Sequence, residues 1–330
     1  MFEIPIVVFA FKRDKVLKVL EVIKKLKPKT LYILADGPRT EEEKKQVDEC
    51  RKKIDSCLED FKQTKIVKKY EERNLGVYEN IGLGAKWVLS LEEMAIFLED
   101  DNLPEETFFM FCKEMLLKYK DNDRILWICG TNYLENYQSD YSYVFTRQML
   151  PCGWASWSYK FLKYYDGNLQ HFDTKTYKSF KHFYVPKRLF YRFNHAIGLE
   201  KRRIIDGKKP VSWDYQMDFS LKYYNLLGIC PCLNQIRNIG ADLDSTHGGT
   251  SMKNGLTKNF CEKETFPLSF PLISPPSLDV DLKFEKKIGK TMLPTFWQSV
   301  KNVVFGGIRK LFRVPYDEKF LQYVFKKRRK

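Results

Sequence analysis

The chain opens on an apolar run, Ile4-Pro5-Ile6-Val7-Val8-Phe9-Ala10, of the length of a buried strand. Behind it Val16, Leu17, Leu20 and Ile23 recur at helical spacing. This predicts a helix from Arg13 to Leu26, stopped by Pro28. Thr30 to Ala35 reads as a second strand, ending in the turn signature Asp36-Gly37-Pro38. Thr40 and Glu43 have capping-box spacing and open a helix to about Leu58. Lys65 to Tyr70 is a third strand, Asn74-Leu75-Gly76 a turn, and Glu79 to Leu91 a helix. Met94 to Leu98 is a fourth strand, Pro104 to about Tyr119 a helix, and Arg124 to Cys129 a fifth strand. Such alternation predicts an α/β fold: a doubly wound, mostly parallel sheet flanked by helices.

Past residue 130 the pattern changes. From about Tyr159 to Pro210 aromatic and basic residues crowd together, in helices whose ends the pattern does not mark. Ser212-Trp213-Asp214 opens a helix to about Leu226, and a polar, glycine-bearing loop covers Asp242 to Gly255. Prolines at 267, 271, 275 and 276 mark a linker. Phe296, Trp297, Val300, Val303, Val304, Ile308, Leu311 and Phe312 then follow helical spacing, interrupted by Gly306-Gly307. The expected division is a main domain over 1–265, with halves 1–130 and 131–265, a linker over 266–290, and a helical C-terminal extension over 291–330.

The fourth strand ends abruptly in Glu99-Asp100-Asp101. Three carboxylates at the end of a buried strand repel one another and lose hydration, which is costly unless something positive sits there. A divalent cation with bound phosphates is a natural partner. Open α/β sheets bind ligands at the carboxyl ends of their strands. The alternative is a solvated acidic loop that happens to follow a strand.

Charge sharpens the picture of the C-terminus. The net charge is +15, which suits polyanionic partners. Residues 301–330 hold ten lysines and arginines against two acids, so this short segment carries +8 of the total. An amphipathic helix with a basic tail suits an anionic membrane surface. The bland alternative packs the helix on the main domain. The 8 cysteines form no CxxC pair, and Cys230-Pro231-Cys232 lacks a second pair at zinc spacing. No secretory signal and no membrane-spanning run is visible, so a reduced, cytoplasmic setting on the inner face of the membrane is expected.

Further short motifs carry candidate chemistry. Arg13, in Phe11-Lys12-Arg13 at a helix start, suits a phosphate. Asp36 offers an acceptor for a pyrimidine imide N–H, or simply makes a turn. In Pro151-Cys152-Gly153-Trp154-Ala155-Ser156-Trp157, the glycine permits close backbone approach and Trp154 offers a flat face to a sugar, while Trp157 suits a core equally well. Asp214 stands where a base or a helix cap would stand. His247, in Ser245-Thr246-His247-Gly248-Gly249, suits Mn²⁺.

In this order the motifs resemble the GT-A glycosyltransferases, in particular the inverting N-acetylglucosaminyltransferase I family and bacterial enzymes of similar layout, over roughly residues 4–250. The resemblance implies a GT-A type sheet with a nucleotide-sugar half and an acceptor half. It implies that Arg13 contacts the donor diphosphate and Asp36 the base, while Glu99 and Asp100 contact sugar and ribose hydroxyls. Asp101 would be the direct ligand of Mn²⁺ or Mg²⁺, with His247 at the metal or diphosphate, and the loop at Trp154 would lie under the transferred sugar. Asp214 would be the general base. The family carries two consecutive acids there, whereas Tyr215 follows Asp214 in this chain, so Asp218 one turn on is a possible substitute. The implied activity is metal-dependent transfer, with inversion, from a nucleotide-diphosphate sugar to a glycan or lipid-linked glycan, as in capsule or O-antigen assembly. A nucleic-acid-binding or membrane-binding module without catalysis is a rival, but the basic charge is concentrated in the tail, so no nucleic-acid partner is expected. A sugar-phosphate nucleotidyltransferase is another, but it needs a glycine-rich loop after the first strand, and Phe9-Ala10-Phe11-Lys12 has no glycine.

Overall fold

The computed structural model describes residues 1–241 and 255–316, together with 318, 320 and 323. Its first half follows the predicted alternation: β1 (Ile6–Ala10), α1 (Lys15–Leu26), β2 (Thr30–Ala35), α2 (Glu41–Leu58), β3 (Lys65–Tyr70), α3 (Gly84–Leu89), β4 (Met94–Glu99), β5 (Asn102–Pro104), α4 (Thr107–Lys118) and β6 (Ile125–Cys129). The second half adds β7 (Tyr143–Thr146), β8 (Trp154–Trp157), α5 (Ser158–Tyr164), α6 (Thr174–Ser179), α7 (Arg188–Ile205), α8 (Asp214–Tyr223), β9 (Leu227–Pro231), β10 (Ile236–Asn238), α9 (Gly255–Phe260), α10 (Leu282–Thr291) and α11 (Phe296–Leu311).

Eight strands form one sheet in the order β3-β2-β1-β4-β8-β6-β9-β7. Pairing is parallel from β3 through β4 and again between β6 and β9, while β8 and β7 run against their neighbours. The sheet is therefore mostly parallel and flanked by helices, as the sequence predicts. Alternate residues of β1 feed different cores. Ile6, Val8 and Ala10 join Val16, Leu20 and Ile23 of α1. Val7 and Phe9 join Ala85 and Val88 of α3. Burial on both faces explains why the central strands read as continuous apolar runs.

Several local details depart from the expected pattern. A π-helical turn, Tyr78–Leu83, precedes α3, so the helix expected from Glu79 begins with a wider coil. At α2, Thr40 accepts from the Glu43 amide at 3.3 Å, but the Glu43 carboxylate turns to the Arg39 amide and guanidinium instead of closing a capping box. The glycine pair at 306–307 does not break α11. The proline-marked stretch lies against the body: the Phe266 amide donates to Asn234, the Ser142 amide to Ile273, and the Asp281 amide to Phe145. Beyond it α10 buries Phe284 and Ile288 completely. Among the described residues no helix is long and apolar enough to cross a membrane.

The antiparallel insert β8 requires special packing. Trp154 lies between Phe97 of β4, at 4.0 Å centroid distance, and Trp127 of β6, at 4.3 Å, with Phe161 and Trp213 stacked on the same group. It is 1% exposed. The sugar platform expected at Trp154 is therefore corrected: strand pairing sets this ring inside the core, where its faces are covered by other rings. Gly153, just before Trp154, is held by a backbone constraint. It has φ of +59°, and a Cβ there would come within 2.5 Å of the Ile236 side chain. The close approach seen at this glycine is to β10.

Trp154→Ala should cost about 3–5 kcal/mol of unfolding free energy in urea denaturation, because it empties the centre of a five-ring stack. A loss of the size seen for exposed positions would contradict this packing.

Candidate active site

The strand order reverses between β1 and β4, which are neighbours although β2 and β3 lie between them in sequence. In doubly wound sheets such a reversal leaves a crevice at the carboxyl ends. The loop after β1 brings Arg13 to this crevice, and the end of β4 brings Glu99, Asp100 and Asp101. Arg13 Nη2 donates to Asp100 Oδ1, and to Asp101 Oδ2 at 2.9 Å. Its Nη1 is buried and has no hydrogen-bond partner among the described residues. Asp101 Oδ1 accepts from Asn102 at 2.7 Å and from Asn238 at 3.3 Å. The following backbone closes over this carboxylate: the Ile239 amide donates to the Asp101 carbonyl at 2.8 Å. A Cβ at Gly240 would sit 2.1 Å from Asp101 Oδ2, so a side chain there would push this carboxylate aside.

One guanidinium does not balance this cluster. Burial pushes Asp100 up to about 6, against the pull of Arg13. Burial also raises Glu99 well above the usual carboxylate range, and the charges of Asp101, Asp100 and Asp214 add to the rise. No hydrogen bond to the Glu99 side chain is present among the described residues. Burial works against the charge of Arg13, but Asp100 and Asp101 outweigh it and hold its proton more firmly than usual.

Two cavities meet here. The first has a volume of ≈ 330 Å³ and is lined by Phe9, Phe11, Asp36, residues 74–77, Asn80 and Asp100, together with Lys209 and Val211. The second measures ≈ 370 Å³ and is lined by Asp101, Tyr133, Arg192, Trp213, Asp214 and Phe260 among others. Arg13, Val77 and Glu99 belong to both walls. Each volume is in the range of small-ligand sites.

Asp36 stands in the first cavity with its acceptor positions already used. Oδ1 accepts from the amides of Gly37 at 2.9 Å and Leu75 at 2.7 Å, and Oδ2 from Asn74 Nδ2 at 2.9 Å and the Gly76 amide at 3.0 Å. A carboxylate has about four such positions. Asp36 therefore shapes the cavity wall by holding the 74–76 turn.

Asp214 begins α8 on the second cavity. Ser212 Oγ donates to its Oδ1 at 2.7 Å, and the Tyr215 amide donates to that hydroxyl at 3.2 Å. Asp218 is placed differently. It is 1% exposed, paired with Lys222, and accepts from the Tyr184 hydroxyl at 2.8 Å. A carboxylate bound on both oxygens by a buried lysine and a tyrosine is poorly suited to take a proton. His247 lies outside the described residues. Ser212, Asn238, Lys209 and Arg192 join the site without having been singled out in the sequence. Only Ser212 carried a local sign, standing two residues before the acid at a helix start; the others arrive through tertiary packing.

Among the described residues the donor set fits a hard dication in chemistry: it is all oxygen, and burial together with the mutual repulsion of the acids raises Glu99 and Asp100. Among the described residues, however, no three His, Cys, Asp or Glu side chains have converged into a ready metal cluster.

No family model matches the chain. No curated protein matches it. Solved structures to which it is similar include Staphylococcus aureus TarS 1-349, at 10% identity and TM-score 0.34, with 70% of this chain and 58% of that chain covered. The chain thus spans little more than half of that structure. Mannose-1-phosphate geranyltransferase from Thermus thermophilus aligns at 10% identity and TM-score 0.37, over 72% of this chain and 75% of that one. UDP-glucose pyrophosphorylase complexed with UDP-glucose aligns at 8% and 0.35, over 71% and 93%. These scores are low, and the functional reading rests on the geometry of the site.

Asp100 holds its proton to about pH 6 in the fold, against 3.8 for the free side chain. Between these values the folded chain keeps a proton that the unfolded chain has lost, so stability falls as pH rises through the window. Asp100→Asn should flatten that part of the stability–pH curve in urea unfolding. The same slope in variant and wild type would remove Asp100 as its source.

Proposed function

We propose that the chain is a metal-dependent inverting glycosyltransferase, moving a sugar from a nucleotide-diphosphate sugar to a hydroxyl of a glycan or lipid-linked glycan. The observation that carries this reading is the junction of two cavities at Arg13 and Glu99, with Asp214 on the wall of the second. A displacement between two bound substrates needs them in contact at one point and otherwise apart. The first cavity is of a size and character for a nucleoside, with Phe9, Phe11 and Ile81 for its apolar faces. The second offers rings for a sugar acceptor and a carboxylate near the junction.

The roles of the residues follow. Arg13, whose Nη1 has no partner among the described residues, receives the donor diphosphate and neutralises part of its charge. Glu99 and Asp100 orient sugar and ribose hydroxyls at the junction. Asp214, held by Ser212, takes the proton of the acceptor hydroxyl. The acceptor oxygen bonds to the anomeric carbon as the bond from that carbon to the diphosphate breaks. The electron pair leaves with the nucleotide diphosphate, and the configuration inverts. Asp101 and His247 are the residues that would hold Mn²⁺ or Mg²⁺, which supplies Lewis-acid stabilisation of the leaving group when bound.

Asp214→Asn should lower transfer by about 10²–10⁴-fold, while calorimetric binding of the nucleotide sugar stays near wild type. Asp218→Asn serves as the comparison, since it should act through stability. Transfer at the wild-type rate by Asp214→Asn would remove the base. Release of pyrophosphate in place of a nucleotide diphosphate would assign the crevice to nucleotidyl transfer.

A further inference from the structure

We propose that α11 and the end of α7 form one docking surface for an anionic lipid bilayer. On α11, Val300, Val304, Ile308 and Leu311 share one helical face. All four are exposed, Leu311 to 79%. Phe305 and Phe312 lie beside them and pack on Phe320, at 5.5 and 5.7 Å. Lys301, Arg309, Lys310 and Arg313 stand along the same helix and just past its end. An apolar face with cations on the other sides of the helix is the arrangement of helices that lie in a membrane interface.

The helix is held in place at both ends. It starts just after Met292, whose carbonyl accepts from Arg192 of α7. Past its end, the Tyr316 hydroxyl donates to Asp206, which follows α7, at 2.6 Å. Arg202, Lys208 and Arg203 surround the Tyr316 ring at 4.9, 5.3 and 5.5 Å. From residue 192 to 206 α7 rises about 21 Å, and α11 is about 24 Å long. The segment 292–316 is thus tied to α7 near residue 192 and again just past its end at 206. Ile205, 72% exposed, adds an apolar point at the basic end of α7.

Charge selects the occupant. Residues 301–330 carry a surplus of +8, so two copies meeting face to face would set like charges against each other. Anionic headgroups complement that surplus, and acyl chains cover the valine, isoleucine and leucine face. Arg192 and Met292 line the second cavity as well. The docked protein would thus hold that cavity beside the bilayer, which makes a lipid-linked glycan the acceptor; this last step rests on the transferase reading, while the docking does not.

Flotation of the full chain with vesicles tests the surface without any catalytic assay. Vesicles of phosphatidylcholine with phosphatidylglycerol should carry the protein, and phosphatidylcholine alone should not. Replacing Val304, Ile308 and Leu311 by aspartate should abolish flotation, with circular dichroism and thermal unfolding of the main body unchanged. Replacing Arg309, Lys310 and Arg313 by glutamine should weaken binding by about a hundredfold and reduce its salt dependence. Equal flotation of wild type and the aspartate variant would overturn the proposal. So would a dimer in sedimentation analysis that dissociates in that variant while wild type ignores anionic vesicles.

Discussion

One unbalanced charge cluster governs the crevice of this protein. Arg13 meets two carboxylates from the end of β4, while a third, Glu99, stands beside them without a hydrogen bond among the described residues. A structure built for stability alone would pair or remove that third acid, because burying unpaired charge is expensive. The sheet instead brings β4 beside β1 and sets all three acids at their shared end. The excess can be lowered by protons, as the raised Asp100 and Glu99 indicate, or by a cationic guest. Both walls of the candidate site are built around this imbalance.

Much of the first half was legible in the sequence. β2 has the bounds its apolar run suggests, since a strand buried on both faces leaves an uninterrupted hydrophobic mark. α1 was legible for a related reason: its buried Val16, Val19, Leu20 and Ile23 repeat with the helical period. β7 and β8 were not, because four residues are too few to display alternation. β8 also pairs with strands distant in sequence, so nothing local records its direction. That explains the misreading of Trp154, whose environment is made by β4 and β6, and why the contact of Gly153 with β10 could not be foreseen.

The site was legible as a set of residues more than as an arrangement. Arg13 and the acids stood out separately, yet 87 positions separate Arg13 from Asp100, and only the sheet order brings them together. Asp36 was singled out for its place after a strand. Beyond the neighbouring Gly37 amide, its donors belong to the turn at 74–76, which sequence spacing does not reveal. The choice between Asp214 and Asp218 was open in the sequence because both stand on one helix. Burial separates them: Lys222 and Tyr184 engage the second, and Ser212 orients the first.

Trp213, next to Asp214, is stacked on Trp154 at 5.4 Å and lies 5.9 Å from Trp127. The acid is thus mounted on the protein's interior and not on a surface loop. Its aim is set by how a group of flat rings settles during folding. Tightness of the hydrophobic centre and the direction of this carboxylate become one property, so a change in those rings moves the acid along with the stability of the core.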